Sequence, residues 1–192
     1  QELTWGDGDQ VIEIVRQLGE REKLGELFAQ GIVKAAQTIG GDAPQIAVHT
    51  KGMDFPAHDP RAFFSLAVSY ATSSRGACHT HGLCFKAACG LLAPEIGVTE
   101  VPDRFSMEGK DFIAAKFHDI SALQDVVTMC NFMMFGGFSL TDMLDSLNAV
   151  TGWDWNMEEL LKVGERISTL KRAVNVKWGF SRKDDTLPRI VY

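Results

Sequence analysis

Two short stretches of this chain hold most of the side chains able to do chemistry. Thr72-Ser73-Ser74-Arg75-Gly76-Ala77-Cys78-His79-Thr80-His81-Gly82 places a guanidinium, a thiol and two imidazoles within seven positions. Arginine offers a planar fork of donors suited to phosphate. An imidazole exchanges protons near neutral pH. His79 and His81 are two apart, so a regular helix would point them in different directions; both reach one ligand only from irregular backbone. The second stretch, about fifty residues on, is Asp125-Val126-Val127-Thr128-Met129-Cys130. Its carboxylate sits among Val126, Val127, Met129 and Phe132, where an ionised group is costly unless a cation or donor meets it.

On local pattern alone, each stretch also has a plain structural reading. Asp125 then caps a helix start and Cys130 lies in the core. The histidines sit at a helix N-terminus, facing solvent or bonded within the core. Cys78, His79, His81 and Cys84 are all chemically capable of binding zinc, at a spacing that fits no common zinc frame. Ser73, Ser74 and His79 lack the sharp-turn context of a nucleophilic serine. Cys84, Cys89, Met129, Met133 and Met134 read as packing residues.

The elements that must position these stretches are helices. Asp7 predicts the cap of a helix that buries Val11, Ile14, Val15 and Leu18. Apolar residues from Leu24 to Ile39 continue that period as one helix, stopped by Gly40-Gly41. Ala43 to Pro60 reads as an irregular connection, with a short strand at Ile46–Val48. Asp59-Pro60 opens a further helix, broken at Ser73–Gly76. A helix is expected to resume near Cys78 and run to about Leu92. Gly109 to Phe135 reads as one long helix ended by Gly136-Gly137. Ser139 with Asp142, and Asn156 with Glu159, predict capping boxes. The last helix carries Leu160, Val163, Ile167, Leu170 and Val174 on one face. The fold class is all-α.

Composition narrows the function classes. The 192 residues are 45% hydrophobic, enough to bury a core. The net charge of −6 gives no basic footprint and argues against nucleic acid. No apolar run is long enough to span a bilayer, so no membrane role is expected. Four cysteines without a visible leader point to the cytoplasm and to reduced thiols. Gln1 rather than Met opens the chain, which predicts a start within a longer protein.

Several segments, in order, resemble the C-terminal portion of the tungsten-dependent aldehyde:ferredoxin oxidoreductase family. They are Leu3 to Asp7, Gly31, Lys51-Gly52-Met53-Asp54-Phe55-Pro56-Ala57-His58-Asp59-Pro60-Arg61, Tyr70 to Gly82, Asp125 to Cys130, Gly164-Glu165-Arg166-Ile167, and Arg182 to Pro188. The resemblance covers nearly the whole chain. It implies that residues 1–192 are a helical C-terminal region, in one domain or two intertwined ones, of a larger oxidoreductase. The N-terminal domain that cradles the pterins would be absent.

The family's cofactors are a tungsten or molybdenum ion held by two pyranopterins, and a 4Fe–4S cluster that passes electrons to ferredoxin. Its Asp-x-x-Gly-Leu-Cys pattern falls on Asp125 to Cys130. Asp125 and Met129 are then cofactor-binding, and Cys130 is the fourth cluster thiolate. Thr128 and Met129 depart from the pattern's Gly and Leu. The Arg-Gly-Ala-Cys-His pattern falls on Arg75 to His79, making Arg75 cofactor-binding and His79 the catalytic imidazole near the metal. His81 falls where some members place a lysine against the cofactor.

The implied reaction oxidises an aldehyde to a carboxylate. A glyceraldehyde-3-phosphate oxidiser and a benzoyl-CoA-reductase-like enzyme are alternatives within the family. A non-catalytic helical interaction module and a zinc-binding module are alternatives outside it. The implied partners are the missing N-terminal part, ferredoxin, the aldehyde and a further copy of the chain. Alone, the chain is expected to be inactive and to hold neither tungstopterin nor cluster, since one thiolate cannot hold a cubane.

Overall fold

Some helix starts lie where side-chain acceptors meet free backbone amides. In a computed structural model describing residues 3–192, Asp7 accepts from the Gln10 amide and opens α1 (Gly8–Glu20). Further along are α2 (Leu24–Phe28), α3 (Ile32–Ile39), α4 (Ala43–Ile46) and α5 (Phe64–Thr72). The chain continues through α6 (Lys110–Val126), α7 (Leu140–Thr151) and α8 (Met157–Lys177). Both expected capping boxes form, with Ser139 and Asp142 opening α7 and Asn156 and Glu159 opening α8. The described residues hold one small sheet, an antiparallel pair of β1 (His49–Thr50) and β2 (Met53–Asp54), with His49 opposite Asp54. The class is mostly helical, as expected. Among the described residues no helix is long and apolar enough to cross a membrane.

The core forms where α6 packs between α5 and α8. Phe117, Ile120 and Leu123 of α6 meet Leu66 and Tyr70 of α5, and Leu160 of α8, all almost fully buried. Each such side chain contributes roughly 1.5–3 kcal/mol by leaving water. A Cβ on Gly164 would come within 2.6 Å of the Asp119 carbonyl oxygen, so the bare glycine lets α8 lie directly on α6.

Several expected boundaries move. The apolar period from Leu24 to Ile39 is not one helix: the chain turns at Gly31, whose φ is 87°. Asp59-Pro60 opens only a one-turn 3-10 helix at Pro60–Ala62, and extended backbone at Phe63 delays α5. The strand expected at residues 46–48 forms instead at β1, because Pro44 enters α4 at its first turn. The helix expected over 78–92 is a series of turns followed by a 3-10 helix at Cys84–Cys89. The one expected over 109–135 ends at Val126, and a 3-10 helix follows at Asn131–Gly136. On α1 the expected core face stays largely exposed at Val11, Val15 and Leu18, because the helix packs on α2 and buries Gln17 instead.

The C-terminal segment folds back onto the core. The buried Asp185 carboxylate meets the equally buried Lys51 ammonium at 3.0 Å. It also takes a two-pronged bond from Arg172 of α8, at 2.9 and 3.0 Å, and a contact from Arg182. Burial pushes the Asp185 carboxyl up, but Arg172, Lys51 and Arg182 outweigh it and hold it below the usual carboxylate range. Lys51 also donates to the Ala71 carbonyl at 2.5 Å, tying the hairpin to the end of α5.

Candidate functional site

Loop 73–82 leaves α5 through a turn of its own, in which the Ser73 hydroxyl accepts from the Arg75 amide at 3.1 Å. Two glycines let it approach its neighbours. Gly76 has φ 94°, and a Cβ there would sit 2.4 Å from the Thr50 carbonyl oxygen of β1. Gly82 has φ 131°, and a Cβ there would strike the His118 ring at 2.9 Å. The loop is then held from outside. Asn175 of α8 donates to the Ser74 carbonyl at 2.7 Å. The Gly82 amide donates to the Ser121 hydroxyl of α6 at 2.8 Å. The Asn131 side chain donates to the Thr80 carbonyl at 3.0 Å. These bonds satisfy backbone groups that no helix or sheet pairs.

The second stretch is a helix end, not a helix start. The Met129 amide bonds the Gln124 carbonyl at 2.9 Å, and the Thr128 amide bonds the Asp125 carbonyl at 3.2 Å. That nested pair is a Schellman cap, and its left-handed position is Thr128, with φ 55°. Met129, one residue further, packs on the core. Cys130 follows in extended conformation with its thiol exposed, so the core position first considered for it is corrected. All four cysteines are free; Cys84 is buried, its thiol pushed up to about 11 by burial, whereas Cys89 is exposed rather than packed.

The Asn131–Thr80 bond joins the two stretches, and the sequence-derived residues fall on two sides of Thr80. On one side, His81 is 4% exposed and its Nδ1 has no hydrogen-bond partner. That nitrogen lies 3.9 Å from an Asp125 carboxylate oxygen, beyond hydrogen-bond reach. The same oxygen accepts from Lys171 of α8 at 3.1 Å. Burial, the Lys171 charge and the Arg75 charge push His81 down to about 4, against the pull of Asp125. The other face of His81 stacks on His118 at 5.3 Å. His118 is itself driven down to about 3 by burial and its cationic neighbours, and it pairs with the Ser69 hydroxyl at 2.8 Å. On the other side of Thr80, His79 stacks on His58 at 4.1 Å.

Sequence reasoning missed His58, His118, Lys171 and Asn131. His58 lies inside the Lys51-to-Arg61 stretch, so its neighbourhood was marked although its chemistry was not. The other three become site residues only through packing between elements.

This arrangement does not form the zinc cluster the sequence left open. Cys78 turns to Thr80 at 3.2 Å, His79 stacks on His58, His81 faces Asp125, and Cys84 points to the Ser65 carbonyl. Among the described residues no three metal-capable side chains gather. What the site does offer is a carboxylate, an unpartnered imidazole nitrogen, two cations and an exposed thiol, grouped around one turn. That donor set suits the polar edge of a heterocyclic cofactor and one ligand position of an iron–sulfur cluster.

Comparison with known proteins finds relatives along nearly the whole chain. Residues 1–192 match the family model described as aldehyde ferredoxin oxidoreductase, domains 2 & 3. A tungsten-containing aldehyde ferredoxin oxidoreductase of Pyrococcus furiosus is 33% identical over 190 residues, covering 97% of this chain and 30% of the relative. One from Thermococcus kodakarensis is 33% identical over 194 residues, with the same coverage. An aliphatic sulfonate oxidoreductase, WOR-like subunit, of Pyrococcus furiosus is 28% identical over 203 residues, covering 98% of this chain and 28% of the relative. The chain therefore spans about 30% of the length of the tungsten-containing relatives it matches.

Proposed function

Because this chain belongs to the aldehyde ferredoxin oxidoreductase family, we propose that it forms the helical wall of a tungstopterin site in an enzyme oxidising an aldehyde to a carboxylate. The observation that carries the reading is the joining of loop 73–82 to the Asp125–Cys130 turn through Asn131 and Thr80. It gathers the acceptor, donors and thiol that such a site needs. When bound, the metal–pterin group would supply two-electron chemistry and a 4Fe–4S cluster an outlet for the electrons toward ferredoxin.

This chain's residues bind, orient and move a proton. Asp125 accepts hydrogen bonds from ring N–H groups of a pterin, with its remaining charge balanced by Lys171. Arg75, exposed at the loop, takes a phosphate. His81 is held neutral behind Asp125, its buried nitrogen turned toward the carboxylate that would meet the cofactor. Met129, packed on the core, would give the cofactor an apolar contact. Cys130 would give one of the four thiolates that a cubane takes.

At the substrate, addition of water to the aldehyde carbon and loss of two electrons leave protons to be removed. His79 takes one of them. Burial, with His58 and Lys86 nearby, holds its imidazole below the usual value and hence neutral near pH 7. The other proposed partners are the remainder of the enzyme and ferredoxin.

The test is a pair of variants in the holoenzyme. His79→Ala should cut turnover by ~10²–10⁴-fold while tungsten and iron contents hold. Cys130→Ala should instead lose iron or the cluster's redox signal. Undiminished turnover in His79→Ala would remove His79 from the reaction. An intact redox-active cluster in Cys130→Ala would undo the ligand assignment.

A further inference from the structure

His79 is fixed in an unusual way for a proton-carrying imidazole. Among the described residues no hydrogen bond holds its ring. Its orienting contact is the ring of His58, parallel within 11° at a centroid distance of 4.1 Å. His58 is in turn well anchored. The Tyr70 hydroxyl donates to its backbone carbonyl at 3.1 Å, and the Phe85 ring borders its imidazole at 5.5 Å. Tyr70 is completely buried in the core. The rigid packing of α5 is thus transmitted through His58 to the plane of His79.

His58 is also chemically uncommitted. Its Nδ1 is buried and bonds to nothing. The carboxylate beside it, Asp59, is occupied by the amide and guanidinium of Arg61. A buried polar atom without a partner costs about 1–3 kcal/mol. A phenyl ring could stack equally well without that cost, so an imidazole here points to a use beyond packing.

We propose that His58 is a positioning residue for His79, whose stacked ring sets the plane in which the His79 imidazole meets the substrate. The proposal rests on the reading of His79 as the proton carrier. The charged and titratable groups facing His79 are His58 from the loop before α5 and Lys86 from the 3-10 helix at 84–89. A proton on His79 would add positive charge beside His58 and Lys86, in a site where burial already disfavours it. The stack therefore orients the ring and also favours its proton-accepting form.

The experiment compares His58→Ala, His58→Phe and His79→Ala in the holoenzyme, reading kcat, KM, metal content and the acidic limb of the pH–rate profile. His58→Ala should lower kcat by about ten- to a hundredfold, with KM nearly unchanged, because a reacting group has lost its orientation. Its acidic limb should move to higher pH, since the ring that buries His79 and opposes its protonation is gone. His58→Phe keeps the stack and should restore kcat to within a few-fold. Its limb should also move up, by less, because burial is retained.

An unchanged kcat and limb in His58→Ala would overturn the proposal. Should His58→Ala lose its metal, His58→Phe decides, and an unmoved limb there overturns it. A collapsed His79→Ala alongside silent His58 variants rejects His58 alone. Normal turnover in His79→Ala rejects the proton role of His79 and takes this proposal with it.

Discussion

The two walls of the site are built by opposite means. The turn after α6 is self-contained, because its cap bonds run between residues 124 and 129 and its special backbone position is its own Thr128. Loop 73–82 has little internal structure and borrows its shape from β1, α6, α8 and Asn131. A local cap tolerates change, because its hydrogen bonds survive most side-chain replacements. A borrowed shape fails at each contact that holds it. The wall carrying His79 and His81 is thus the more vulnerable one.

Four measurements test that contrast, all by urea or thermal unfolding of the chain. The largest effect belongs to Gly76→Ala, which forces a Cβ against Thr50 and a side chain into φ 94°. It should cost about 3 kcal/mol or more, or prevent folding; a loss below about 1 kcal/mol would mean the loop is not held against β1.

Acidification comes next. His81 and His118 are held neutral with values near 4 and 3, whereas the unfolded chain binds their protons near 6.5. The unfolded state therefore gains protons first as pH falls. Their stabilisation is complete above about pH 6.5 and is lost progressively toward pH 4 and below, by an amount on the order of a few kcal/mol. Stability that stays flat from pH 7 to pH 4.5 would contradict their burial as neutral groups.

Asn131→Ala, which cuts the link between the two walls, should cost about 1–2 kcal/mol. His81→Gln in the same background should then cost less than it does alone, since the loop is already loosened; strict additivity would show that Asn131 couples nothing. The smallest effect is a gain. Thr128→Gly relieves a left-handed threonine and should stabilise the chain by about 1 kcal/mol. A neutral or negative result would mean that the cap does not carry the strain its backbone shows.

The same contrast decides what the sequence could reveal. Ser139–Asp142 and Asn156–Glu159 were legible because a capping box is complete within four residues. The break after Val126 is equally local, yet it was missed. A threonine stands where glycine would announce a left-handed cap, and the apolar run passes through it unbroken. The resemblance nevertheless marked the spot, since the family pattern has glycine at that position and the backbone there explains why. Loop 73–82 was legible in composition and illegible in shape. Nothing near Thr80 in sequence indicates Asn131, and nothing near His81 indicates Lys171 or His118. The pairing of His58 with His79 needed the whole fold of α5. The exposed face of α1 is the converse, a clear amphipathic pattern whose apolar side finds little to cover it among the described residues.

The Lys51–Asp185 pair bears on how the molecule comes apart. Its partners are separated by most of the chain, so bringing them together carries a loop-closure cost that early folding contacts avoid. The contact is therefore expected to form after the transition state is crossed. Weakening it with Asp185→Asn should therefore quicken unfolding while leaving the refolding rate nearly unchanged. The lifetime of the native state, more than its rate of formation, would then depend on a carboxylate that takes no part in the proposed chemistry.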